Sequence, residues 1–134
     1  MNQKSRLLTL FLLVGVIALV VNCTKKDIKL FNELLGNYTG MVIRFDNNSI
    51  KKDLTLSITS HDNPVAGTYN LAGTAGSVGG SVLGTILNLT LKPTTTGVTY
   101  TFSGNANDDN TAITGTMTGV ESGTAVKYNV DLKK

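Results

Sequence analysis

From Gly36 to Lys134 apolar side chains recur at every second position, and this period limits more than anything else what the 134-residue chain can fold into. Leu54, Leu56 and Ile58 alternate with Thr55, Ser57 and Thr59, and Leu87, Leu89 and Leu91 alternate with Asn88, Thr90 and Lys92. Val126, Tyr128, Val130 and Leu132 repeat the pattern near the C-terminus. Alternation of this kind gives each strand one dry and one wet face, as antiparallel sheets require. Turn residues cut the stretch into up to eight segments: Asn37 to Phe45, Asp53 to Ser60, Val65 to Leu71, Ser77 to Val82, Thr85 to Lys92, Val98 to Gly104, Ala112 to Gly119 and Ala125 to Leu132. Strands at this spacing with hairpin-length loops form an antiparallel meander.

Eight hairpin-linked strands leave two unpaired edges unless the sheet closes on itself. The expected fold is therefore all-β, an eight-stranded antiparallel up-and-down barrel spanning residues 36–134, with a two-sheet sandwich as the alternative. Gly40, Gly67, Gly104, Gly115 and Gly119 inside the strands favour tight coiling. The stretch containing Gly73, Gly76, Gly79, Gly80 and Gly84 reads as a weak, irregular strand, because no helix start and no lysine follow to make a phosphate loop.

Ahead of the sheet, Asp27 to Leu35 carries apolar residues at 28, 31, 34 and 35, with Asp27 where an N-cap belongs and Gly36 where a C-terminal cap belongs. This predicts one short helix that must dock on the rest. Further upstream, Lys4 and Arg6 precede an uncharged apolar run from Leu7 to Val21. The layout is that of a signal peptide over residues 1–22, and the run falls short of the ~20 residues that comfortably span a bilayer. A spanning helix is the runner-up.

That run ends in Val20-Val21-Asn22-Cys23, which resembles the lipobox of bacterial lipoproteins, most closely the looser spirochaetal form. The resemblance implies cleavage before Cys23 and acylation of its thiol with diacylglycerol, leaving a lipidated tether and short helix over residues 23–35. It implies attachment to a membrane of the bacterial cell envelope. Thr24 rather than Asp after the cysteine is, in proteins similar to enteric lipoproteins, compatible with the outer membrane, as a peripheral protein on either its periplasmic or its surface face. Acyl chains contribute about 0.8 kcal/mol per buried methylene, so two or three hold a small domain without a spanning helix.

A second resemblance lies at Leu35-Gly36-Asn37-Tyr38-Thr39-Gly40, a short helix leading into Gly-x-aromatic, and at Ala66-Gly67-Thr68-Tyr69. These are similar to the opening and later strands of the calycins, the lipocalin and avidin-like barrels. The resemblance implies a lipocalin-like barrel and permits carriage of a small apolar or amphipathic ligand. The chain has no Trp, so the aromatic box of a biotin site is not implied.

Loss of residues 1–22 leaves 112, enough for one domain. Lys4 and Arg6 leave with the signal, so of 12 basic side chains ten remain to face nine acidic ones. No Lys/Arg cluster with interleaved aromatics is present, which argues against nucleic acid. Cys23 is the only cysteine, so with its thiol acylated neither a disulfide nor a cysteine metal site is available.

No motif pairs an acid, a base and a nucleophile, so neither an enzyme nor a cofactor is expected. His61 stands in His-Asp-Asn-Pro, a turn signal. Asn105 to Asn110 places oxygens at alternate positions as calcium loops do, yet lacks their glycine and has Thr116 where a bidentate Glu is needed; a solvated hairpin loop and no metal is the expectation. Tyr38, Tyr69, Tyr100, Phe102, Met117 and Tyr128 fall on inward positions and are candidates either for core filling or for lining a ligand pocket. A membrane-spanning barrel fits poorly with the polar outward faces. The first functional expectation is a binding module that meets a host or envelope macromolecule through loops such as Asp46 to Ser49, His61 to Pro64 and Asn105 to Asn110. The second is a carrier of a small apolar ligand in the bore.

Overall fold

The computed structural model describes residues 34–60 and 63–134. The signal segment, Cys23, His61 and all but the last two residues of the expected helix lie outside the described residues. The strands are β1 (Gly36–Arg44), β2 (Lys51–Ser60), β3 (Val65–Leu71), β4 (Thr74–Leu83), β5 (Ile86–Pro93), β6 (Tyr100–Ala106), β7 (Ala112–Glu121) and β8 (Thr124–Lys133). Each pairs antiparallel with the next in sequence, and β1 closes on β8 with Val42 opposite Val130. This is a closed up-and-down barrel, so the sandwich alternative does not hold.

Closure follows from parity. In β6, in β5 from Ile86 to Lys92 and in β8 from Ala125 to Lys133 buried and exposed residues alternate without a break, and the buried set carries the apolar side chains. Outward positions carry Thr, Ser, Asn and Lys, with Thr90 opposite Thr101 and Thr101 opposite Thr118 across three strands. Ser103 and Asn88, also cross-strand partners, join side chains at 3.1 Å. The outer wall is thus polar where a lipid-facing barrel carries an apolar band.

The Gly-rich stretch is not irregular. It forms β4, a ten-residue strand in register with β3 and β5. Inward glycines make room for rings: a Cβ on Gly76 would stand 2.5 Å from Cε1 of Tyr69, its cross-strand partner, and one on Gly104 would stand 2.5 Å from Cζ of Phe102. Ala72-Gly73 and Ser122-Gly123 turn β3 into β4 and β7 into β8 in two residues, all four at positive φ as the type I′ turn demands.

The barrel has two ends. The chain enters β1 at one, which also holds the β2–β3, β4–β5 and β6–β7 connections and the C-terminus. The other holds the β1–β2, β3–β4, β5–β6 and β7–β8 connections. Of the loops offered for recognition, Asp46 to Ser49 therefore lies at the second end and Asn105 to Asn110 at the entry end, together with Asn63 and Pro64, the described part of the third. They form no common surface.

Candidate ligand cleft

The entry end is stoppered by the chain itself. The Tyr38 hydroxyl lies 2.9 Å from the carbonyl oxygens of both Leu34 and Asn110, to which it can donate. Leu34 and Asn110 are buried beside it. Burial pushes the Tyr38 pKa up to about 12. In the loop that supplies Asn110, the Asn107 carboxamide oxygen accepts from the amides of Thr111 at 2.8 Å and Ala112 at 3.0 Å, and its amide nitrogen donates to Thr111 Oγ1 at 3.0 Å. Asn107 is thus committed to its own turn. No group of three His, Cys, Asp or Glu among the described residues is placed to hold a metal ion.

Between the ends the bore is filled. Leu87, Leu89, Ile113 and Met117 are fully buried, and Phe102 lies opposite Met117 across the β6–β7 ladder. An eight-stranded barrel is just wide enough for its own side chains to do this.

The second end is built differently. Glu121, the last residue of β7, shares inward parity with Ile113 and Met117, and Lys52 of β2 shares it with Leu54, Leu56 and Ile58. Lys52 Nζ donates to Glu121 Oε1 at 2.7 Å, and the hydroxyls of Tyr100 and Tyr128 donate to the same oxygen at 2.5 and 2.8 Å. The Lys52 ammonium also lies 4.9 Å from the centre of the Tyr128 ring, and the rings of Tyr100 and Tyr128 meet edge to face. A Cβ on Gly119 would stand 2.6 Å from Cδ1 of Tyr100, so this glycine is what lets the Tyr100 ring lie over β7.

Electrostatics follow the contacts. Burial pushes the Glu121 carboxyl up, but the three hydrogen bonds and the Lys52 charge outweigh it and hold the group below its ordinary range. Burial pulls Lys52 down, and its bonds to Glu121 and Tyr128 more than restore it, leaving it above the usual value. Tyr100 is raised, by burial first and then by the neighbouring carboxylate.

Beside this cluster a cleft of about 290 Å³ opens between β3 and β6. Lys52, Tyr69, Tyr100 and Glu121 line it together with Leu71, Thr74 and Val98. Its rim is held in place by backbone bonds, from the Ala72 amide to the Asp53 carbonyl at 2.9 Å and from the Thr94 amide to the Ala75 carbonyl at 3.1 Å. The Tyr69 hydroxyl is buried there with no hydrogen-bond partner, and burial raises its pKa.

Of the six residues expected to fill the core or line a pocket, Tyr69 and Tyr100 line the cleft and Tyr128 joins it through Glu121. Phe102 and Met117 pack in the bore, and Tyr38 holds the opposite end. Lys52 and Glu121 were not among the candidates. The signal that finds them is a charged residue on the apolar parity of its strand.

No protein-family description, curated protein or solved structure matches this chain, so the site is interpreted from its own geometry.

Proposed function

We propose that this is a non-enzymatic binding module of a bacterial cell envelope, anchored through acylated Cys23, which recognises its partner at the Lys52–Glu121 end of the barrel. The observation that carries the reading is the difference between the two ends. One is sealed by Tyr38 and Asn110 and receives the chain from its N-terminal side; the other opens a cleft beside a partly buried polar cluster. A membrane anchor upstream of β1 leaves the cleft on the end remote from chain entry. Ligand carriage in a deep bore finds less support than recognition at the mouth, because the bore is occupied by side chains. Lipid attachment rests on the Leu7 to Val21 run and the placement of Cys23.

Native mass spectrometry of the chain extracted from its own cells tests this reading. A bound mass is expected that disappears in Thr74→Trp, where the indole occupies the cleft, and persists when Asp108 at the entry end is changed to Trp. The reverse pattern would overturn it.

A further inference from the structure

We infer that the cleft at the Lys52–Glu121 end takes a neutral polyhydroxylated ligand, a sugar ring either free or at the end of a glycan. The inference rests on the proposal that this end is the recognition end, and names what it recognises. Three observations carry it. First, the Tyr69 hydroxyl is an unpartnered polar group on a side chain 4% exposed, in the wall of the cleft. A buried hydroxyl left unpaired is costly, and a ligand group in the cleft is what would satisfy it. Second, the two charges in the wall, Lys52 and Glu121, stand 2.7 Å apart and cancel. An ion of either sign entering the cleft meets one attractive and one repulsive charge, so it gains no net attraction to offset the loss of its hydration, and a neutral ligand is favoured. Third, the wall offers donors and acceptors side by side. All three donors to Glu121 converge on Oε1 and none of them uses Oε2, Lys52 has three N–H donors, and the Tyr69 hydroxyl both gives and accepts. A hydroxyl does the same, and adjacent hydroxyls on a ring match such a wall while the C–H faces lie on Leu71 and Val98. The volume, about 290 Å³, admits one ring rather than a long chain.

The test is an NMR titration of the full mature lipoprotein, in a detergent without a sugar headgroup. The probes are glucose, galactose, mannose and N-acetylglucosamine, their short oligomers, and the charged analogues glucosamine and glucuronate. At least one neutral probe is expected to shift resonances of Tyr69, Tyr100 and Gly97, with binding about tenfold weaker in Tyr69→Phe. Tyr69→Phe removes a hydroxyl that bonds to nothing in the fold, so its melting temperature should not fall, which separates lost binding from lost structure. Equal binding of monosaccharide and oligomer identifies a free sugar, and much tighter binding of the oligomer identifies a glycan end. Tighter binding of glucosamine or glucuronate at the same resonances would overturn the neutral class while leaving the recognition end in place. Shifts confined to the entry end, shifts indifferent to Tyr69→Phe, or no shifts with any probe would overturn the inference itself.

Discussion

Glu121 and Lys52 are the only opposite charges among the described residues that meet with both side chains about three-quarters covered, and their pH behaviour follows from their contacts. Glu121 is held below its ordinary pKa, so its contribution to stability is present above the unfolded carboxyl value, about 4.3, and is lost as pH falls through the lower folded value. Lys52 is held above its ordinary pKa, so its contribution is complete below about 10.4 and is lost as pH rises through the higher folded value. Between those limits Glu121→Gln should cost about 1 to 2 kcal/mol in urea unfolding, because a neutral amide replaces the acceptor of three hydrogen bonds. Below about pH 4 the gap between variant and parent should narrow. A gap that stays constant from pH 7 to pH 3 would contradict the account of the cluster. Tyr69→Phe makes the opposite case: the fold loses no hydrogen bond, and stability should hold or rise by up to about 1 kcal/mol.

At the scale of the strand, the inward glycines and the two-residue turns make the sharpest predictions. Gly76→Ala places a methyl group 2.5 Å from the Tyr69 ring and against the backbone of β5, and should cost about 1 to 3 kcal/mol in denaturant unfolding with the far-UV strand signal retained. Ala72, at φ 49°, holds a left-handed conformation next to Gly73; Ala72→Asn should add about 0.5 to 1 kcal/mol, since Asn tolerates that region better. These positions also mark how far the strands were legible. Parity together with turn residues placed all eight, since β3 needs no adjustment and the others differ by a few residues at their ends. Gly73 to Gly84 was underestimated because the partner that fills the space over Gly76, Tyr69, comes from another strand, and a single strand's pattern carries no record of its neighbour. Lys52 escaped notice for a related reason. In Ile50-Lys51-Lys52 it looks like the solvated start of a strand, and only pairing across the barrel brings it to Glu121, 69 residues away. Glu121, beside Ser122-Gly123, looks like a turn residue until the register turns it inward.

For the whole molecule, what matters is that the barrel has unlike ends. An eight-stranded meander puts chain entry, the C-terminus and three connections at one mouth of the barrel and four connections at the other, and side chains sharpen the difference: Tyr38 and Asn110 seal the first, while Lys52, Tyr69, Tyr100 and Glu121 leave a cleft in the second. The Cys23 anchor, proposed from the signal segment, lies upstream in sequence of β1, the strand by which the chain enters the sealed end. Cys23→Ser should move the chain from the membrane fraction to the soluble fraction on cell lysis, with the barrel's circular dichroism unchanged; a variant that still sediments with membranes would contradict the anchor. The central claim, that recognition happens at the cleft end, is tested most directly by photo-crosslinking in the native cells. A photoreactive amino acid would be placed either at Ala72 on the cleft rim or at Asp108 at the entry end of the anchored protein. The expected result is one discrete adduct from Ala72, weakened by Thr74→Trp, and none from Asp108. A discrete adduct from Asp108 with none from Ala72 would contradict the account.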